Sequence, residues 1–408
     1  MALIVQKYGG TSVGSVERIR NVAKRALATQ RAGNDVVVIV SAMSGETNRL
    51  LALAHQVIDV PEAREMDVIA STGEQVSAAL TSLAIDKEGG KARSLLGHQV
   101  RILTDDAFSK ARIKSIDSAK ISETLKKGEI VVVAGFQGVD ENGDITTLGR
   151  GGSDTTAVAV AAAINADVCE IYTDVDGVYT TDPGMCPSAK KIERISYDEM
   201  LELASLGAKV LQLRSVEIAM KYEVPVHVRT SFDEREGTWV VKEDKSLEAI
   251  TVRGVAYEKN DARVHIDRVD DKVDTVARLF EALAEKNISV DMIVQTASTA
   301  AGSRAKVDLT FTLPKTDLLR AKPFIEEIAK TLGAKASRYD EEVSKVSIVG
   351  LGMRSHAGVA AKMFRILANE GIKIQAISTS EIKVSCLIHA KYTELAVRAL
   401  HDGFGLSA

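Results

Sequence analysis

The chain has 408 residues, 45% of them apolar and 26% charged, so it exceeds what one hydrophobic core supports and is far from a disordered composition. Its net charge of −4, with both signs mixed along the sequence, offers no basic stripe for nucleic acid and no polybasic anchor for a membrane surface. Small molecules and other subunits are the partners expected.

Through Val228 short β-branched runs alternate with helical patterns, which predicts a mainly parallel, open sheet flanked by helices. Leu3-Ile4-Val5 opens the first strand. Ile19, Val22, Ala23, Ala26 and Leu27 recur at helical spacing, and Gly33-Asn34 ends that helix. Strands are expected at Val36 to Val40, Val100 to Leu103, Ile130 to Val133, Val168 to Tyr172 and Val224 to Val228. Helical regions are expected at Glu62 to Leu83, Ala157 to Ile164 and Asp198 to Tyr222. The apolar stretch Ala157 to Ala166 is too short to span a bilayer, and Met1 to Tyr8 lacks the pattern of a secretory leader. Cys169, Cys186 and Cys386 form no CxxC pair and fit a reducing cytoplasmic compartment; Cys169 and Cys386, in apolar strand-like runs, read as core residues, and no cysteine is assigned a role.

Between Phe232 and Lys245 the sequence turns polar, which marks a boundary. Beyond it an internal repeat dominates. Leu279-Phe280-Glu281-Ala282-Leu283-Ala284 through Ile288 lines up with Met363-Phe364-Arg365-Ile366-Leu367-Ala368 through Ile372, 84 residues later. Each copy reads strand, helix, strand, strand, a small α+β sandwich. The divisions are therefore 1–245, a connecting strand in 246–261, a first repeat in 262–342 and a second in 343–408. The repeat alone implies two copies of one small unit and fits a dimerisation module.

Three segments carry chemistry. Lys7-Tyr8-Gly9-Gly10-Thr11-Ser12 ends the first strand before a helix, where glycines let backbone N–H groups approach phosphate and Lys7 is placed to neutralise it. Taken alone, it also fits a tight turn with a solvated lysine, and its glycine spacing is neither a Walker A nor a dinucleotide fingerprint. Thr147-Leu148-Gly149-Arg150-Gly151-Gly152-Ser153-Asp154-Thr155-Thr156 precedes a helix and combines an anion-binding turn with an arginine fork for a carboxylate. Helix capping by Ser153, Asp154 or Thr155 would not require Arg150. Thr173-Asp174 through Tyr179 and Asp182 follows a strand's carboxyl end, where nucleotides sit in open α/β sheets, although Asp-Gly and Asp-Pro are also ordinary turn chemistry.

Together with Val40-Ser41-Ala42-Met43-Ser44, Thr47 and Ser71-Thr72-Gly73-Glu74-Gln75, these segments resemble the amino-acid kinase family, and within it the aspartate kinases, over essentially the whole chain. The resemblance implies an amino-acid kinase domain followed by two ferredoxin-like ACT domains. It implies that Lys7, Gly9, Gly10, Ser41, Thr173, Asp174, Tyr179, Asp182 and Lys209 bind ATP, its Mg²⁺ carried by the phosphates without a direct protein ligand. Lys7, Asp154 and Lys209 would be catalytic. Thr47, Glu74, Arg150, Gly151, Gly152 and Ser153 would hold aspartate, Arg150 through its α-carboxylate and Glu74 as countercharge to its ammonium. The product would be 4-phospho-L-aspartate, the first step toward lysine, threonine and methionine through diaminopimelate.

Lysine and threonine would act as feedback effectors. Their implied positions are Asp271, Val276, Ser289, Val290, Asp291 and Gln295 in the first ACT copy, and Val359, Ala360, Lys373, Ile374, Ser380 and Glu381 in the second. Where such units often turn through proline–glycine, the first copy has Lys272-Val273-Asp274, whereas the second keeps His356-Ala357-Gly358. Assembly as a homo-oligomer, or with a shorter subunit equivalent to the C-terminal half, is also implied. A glutamate kinase and a sensor without catalysis are the competing readings. Intact Lys7, Arg150, Asp154 and Asp174 argue against the second.

Overall fold

A computed structural model describes residues 1–207, 210–243, 251–298, 306–354 and 356–407. The chain forms two compact units: the first holds Met1–Val178, Lys191–Ser205 and residues 210–243, and the second holds Tyr179–Lys190, residues 206–207 and the described residues from 251 on.

The first unit is built on an eight-stranded sheet, in the order Arg194–Ser196, Thr238–Val241, Val226–Thr230, Val168–Thr173, Leu3–Tyr8, Asp35–Val40, Ile130–Ala134, Ala92–Leu95. Every neighbouring pair is parallel except Val226–Thr230 with Thr238–Val241. The central strands carry Val and Ile on both faces and are buried from Val36 to Val40 and from Ile130 to Ala134, as expected of strands covered on two sides. The helix Val16–Arg31 packs the predicted Ile19, Val22, Ala23, Ala26 and Leu27 onto one face, and Ser15 caps it by accepting from the Arg18 N–H at 3.2 Å. From Leu3–Tyr8 the chain builds outward in one direction first and in the other later, so the strand order reverses beside it. Ligands of open α/β sheets bind at the carboxyl ends of the strands at such a point.

Elsewhere the predicted limits shift. The region Asp198 to Tyr222 is two helices, Tyr197–Ser205 and Leu213–Tyr222, with Gly207 between them at φ +98°. A helix cannot continue through that left-handed residue. The helix expected from Ala157 begins earlier, at Gly152. The strand expected at Val100 to Leu103 runs Ile102–Thr104 and belongs to a separate four-stranded sheet with Ile113–Ile116, Gln137–Val139 and Ile145–Thr147, which are too short to show a period in the sequence.

In the second unit both repeat copies are four-stranded antiparallel sheets carrying helices. The first runs in the order Asp291–Ser298, Lys306–Pro314, Asp261–Asp270, Ala336–Asp340. The second runs Gly254–Glu258, Val343–Val349, Lys383–His389, Ala376–Thr379. The strand Gly254–Glu258, which precedes the first copy, therefore completes the sheet of the second. Equivalent positions of the repeat, Leu279 and Met363, Leu283 and Leu367, Ile288 and Ile372, are buried in their respective cores. No helix among the described residues is long and apolar enough to cross a membrane.

Candidate active site

Lys7 is the penultimate residue of Leu3–Tyr8, at the carboxyl end of the central strand. Its Nζ lies 2.6 Å from Asp154 Oδ1, and both residues are buried. Two charges so far from water persist only when paired. Beyond Tyr8 the backbone turns: the Gly9 N–H donates to the Tyr172 carbonyl at 3.2 Å, and the Ser12 and Val13 N–H groups donate back to the Gly9 carbonyl. The Ser41 N–H donates to the Tyr8 carbonyl at 3.1 Å. A methyl group at Gly10 would meet the Ala42 carbonyl at 3.0 Å, and one at Gly9 would lie 3.4 Å from Lys7 Nζ. The loops after three neighbouring parallel strands thus close on one cradle, which a side chain on Gly10 would crowd.

The second cluster supplies Asp154. Gly149 and Gly151 both have positive φ, 78° and 69°, so the chain swings into the helix Gly152–Ala163, whose residues through Ala161 are buried. A methyl at Gly152 would lie 2.8 Å from the Phe136 ring. Ser153 packs against Gly135, where a Cβ would come within 2.9 Å of its Oγ. The Arg150 side chain is exposed, while its carbonyl accepts from Gln212 Nε2 at 2.8 Å and that of Leu148 accepts from Arg214 Nη1 at 2.7 Å.

The helix Ala63–Lys87 brings in Glu74, 3% exposed, with Oε1 accepting from the Ala42 N–H at 3.0 Å. Gly73 permits the approach, since a Cβ there would lie 2.8 Å from that of Ala42. Glu74 Oε2 is buried with no hydrogen-bond partner among the described residues. Burial pushes the carboxyl up to about 7, against the opposing pull of the Ala42 N–H. A cationic group arriving there would be welcomed by a carboxylate poised to ionise. Thr47 sits half-buried in the first turn of Glu46–Val57. On the other side of Lys7, Thr173 ends its strand, donates from Oγ1 to Asp174 Oδ1 at 3.1 Å, and accepts at its carbonyl from the Ser231 N–H.

The structure therefore gathers Lys7, Gly9, Gly10, Ser41, Glu74, Ser153, Asp154 and Thr173, with Thr47, Arg150 to Gly152 and Asp174 on the adjoining turns. Tyr179 and Asp182 belong to the second unit, where Asp182 accepts from the Tyr257 hydroxyl at 2.7 Å and the Gly184 N–H at 2.8 Å. Lys209 lies outside the described residues. The sequence does not single out Asp67. It is buried on the same helix as Glu74 and accepts from Thr147 and Ser109, but an isolated aspartate in a polar helical stretch carries no signal in the sequence.

In the first repeat copy Asp271 and Val276 flank the turn into the helix Thr275–Glu285, while Ser289 and Val290 lead into the edge strand that carries Asp291 and Gln295. In the second, Val359 and Ala360 open the helix Val359–Asn369, Lys373 and Ile374 follow it, and Ser380 and Glu381 form a hairpin turn. The two helix entries differ as their sequences do: Gly358 has φ +93°, whereas Asp274 has φ −95°.

Among the described residues no group of three His, Cys, Asp or Glu side chains is arranged to hold a metal ion. All three cysteines are free and buried, and burial pushes the thiols of Cys169 and Cys386 up.

The profile of the amino acid kinase family matches residues 2–230, and that of the ACT domain matches 267–327 and 346–404. An aspartokinase of Pseudomonas aeruginosa is 55% identical over 410 residues, spanning 100% of this chain and 98% of that protein; an aspartokinase of Corynebacterium glutamicum is 48% identical over 409, spanning 100% and 97%. Among solved structures, E. coli aspartokinase III in complex with aspartate and ADP, in its R-state, aligns with a TM-score of 0.83 at 26% identity, covering 98% of this chain and 99% of that one. The same enzyme with lysine and aspartate, in its T-state, aligns with a TM-score of 0.77 at 27% identity, covering 99% of each. A buried lysine–aspartate pair above a glycine turn, an arginine loop, a buried glutamate and two C-terminal four-stranded sheets thus coincide with full-length likeness: the chain belongs to the amino acid kinase family, as an aspartate kinase with two C-terminal ACT domains.

Proposed function

We propose that this chain transfers the γ-phosphoryl group of ATP to the side-chain carboxylate of L-aspartate, giving 4-phospho-L-aspartate and ADP, as the first step toward lysine, threonine and methionine. The observation that carries this reading is the buried Lys7–Asp154 ion pair beside the Gly9-Gly10 turn, with the Arg150 loop and Glu74 on adjoining elements. The complex of E. coli aspartokinase III with aspartate and ADP supports the choice of both ligands.

The aspartate β-carboxylate is already ionised at neutral pH, so no general base is needed. One of its oxygens forms a bond to γ-phosphorus as the bond to the bridging β–γ oxygen breaks, and ADP leaves with that electron pair. Catalysis is then positioning and charge neutralisation. Lys7 offers its ammonium to the phosphoryl oxygens while Asp154 fixes where that ammonium points. Gly9 and Gly10 leave room for phosphate against the backbone, with Ser41 beside it. Arg150 pairs with the α-carboxylate, Glu74 meets the α-ammonium, and Thr47 with Gly151 to Ser153 closes around the substrate. Thr173, Asp174, Tyr179 and Asp182 serve the nucleotide, and Lys209 serves as a second phosphate lysine. Mg²⁺ brought in by ATP supplies further charge neutralisation on the phosphates.

The ACT copies sense amino acids. Lysine is supported by the lysine-bound T-state of E. coli aspartokinase III, and threonine rests on the resemblance. Assembly through the ACT copies, with itself or a shorter subunit, and a cytoplasmic location complete the reading; the free, buried cysteines accord with a reducing compartment. Steady-state assays with lysine, threonine and both together test the regulation. Inhibition by at least one is expected, and unaltered activity with either and with both would refute it.

A further inference from the structure

Asp67 is 1% exposed and takes no part in the proposed contacts with substrate. Its carboxylate is nonetheless fully engaged. Oδ2 accepts from the Thr147 N–H at 2.7 Å and the Ser109 N–H at 2.8 Å, and Oδ1 accepts from Thr147 Oγ1 at 2.8 Å and Ser109 Oγ at 3.2 Å. One buried carboxylate thus joins the helix Ala63–Lys87 to the loop at Ser109 and to the end of the strand Ile145–Thr147. The second of these, at Thr147, runs directly into Leu148-Gly149-Arg150-Gly151.

The first loop buttresses the same segment. Ser109 adopts φ +67°, unusual for a residue with a side chain, and a methyl on Gly149 would lie 3.1 Å from its carbonyl. The Ala111 N–H donates to the Thr147 carbonyl at 2.9 Å, and Arg214 donates to the carbonyls of both Ala111 and Leu148. Asp67 and Glu74 are seven residues apart, hence on one face of their helix and about 10 Å apart along it. That face therefore holds the Arg150 loop at one point and the Ala42 loop at the other.

We infer that Asp67 is a positioning residue for aspartate, setting through Thr147 the place at which Arg150 presents its guanidinium. The inference rests on the proposed role of Arg150 at the α-carboxylate. Asp67→Asn would turn an N–H donor toward backbone donors and loosen the loop without altering any group that meets ATP.

The test is steady-state kinetics of the full-length enzyme with aspartate and ATP varied separately, alongside thermal unfolding. Asp67→Asn is expected to raise the KM for aspartate about tenfold or more while the KM for ATP stays within about twofold. Thr147→Val, which keeps the shape and loses the hydroxyl, should shift the same constant in the same direction, and Thr147→Ser should restore it. The Thr147 pair decides the matter if Asp67→Asn does not fold. An unchanged KM for aspartate in Asp67→Asn and Thr147→Val, with Arg150→Lys raising it, would overturn the positioning role alone. An unchanged KM in Arg150→Lys would instead overturn the role of Arg150, and this inference with it.

Discussion

Lys7 Nζ and Asp154 Oδ1 lie 2.6 Å apart, the lysine at the end of the central strand and the aspartate in the first turn of a buried helix. The pair places a cation beside the Gly9-Gly10 turn and holds it there without help from a ligand. Lys7→Ala should lower kcat by about 10²-fold or more, because the cation that offsets phosphoryl charge is lost. It should also cost on the order of 3 kcal/mol of stability by leaving Asp154 unpaired. Adding Asp154→Asn should recover much of the unfolding midpoint and none of the turnover. Near-normal kcat in Lys7→Ala would contradict the catalytic role.

Glu74 should give the reaction a pH signature. With its carboxyl pushed up to about 7 by burial, it is part-protonated at neutral pH, so kcat/KM for aspartate should rise as pH rises through about 7. Glu74→Gln should lower that constant and remove this limb. Stability runs the other way. Between the ordinary carboxylate range and about 7 the folded state keeps a proton that the unfolded chain has released, so stability falls as pH rises through that window. Thermal unfolding of Glu74→Gln across pH 5 to 8 should lack this fall; an unchanged slope would assign it elsewhere.

Gly135 follows the strand Ile130–Ala134, and a Cβ there would lie 2.9 Å from Ser153 Oγ and 3.0 Å from the Val40 carbonyl. Gly135→Ala should displace the start of the Asp154 helix, lowering kcat/KM about tenfold or more and destabilising the protein by about 1–3 kcal/mol. Unchanged kinetics would show that Ser153 has room to move.

In the second unit Lys345, 5% exposed, has its Nζ 2.5 Å from Asp291 and 3.3 Å from the buried Asp261. This ion cluster ties the first ACT copy to the second, since Lys345 belongs to the latter's sheet. Burial already raises the Asp261 carboxyl, against the pull of Lys345. Lys345→Met should destabilise by on the order of 3 kcal/mol at pH 7 and by less at pH 4, where Asp261 can take up a proton. Denaturant unfolding at the two pH values checks both the size and the direction.

Much of this was legible in the sequence wherever the physics is local. Ile19 to Leu27 show their helix through spacing, and the repeat shows two like folding units because Leu279 and Met363 fill equivalent core positions. Glycine clusters mark turns where backbone must approach closely, as Gly10 does to Ala42. What the sequence hides is long-range. Nothing in Gly254–Glu258 says that it pairs with Val343–Val349 across the whole first copy. Nor does anything near Asp182 announce Tyr257 as its partner. The acidity of Glu74 depends on burial, and the service of Asp67 depends on which loops fold over it.

Aspartate-dependent release of ADP by the purified full-length chain, measured over a panel of amino acids with ATP and Mg²⁺ present, tests the central claim most directly. Release with aspartate, and little with glutamate or other amino acids, is the result predicted. Equal release without aspartate, preference for another amino acid, or none at all would contradict it.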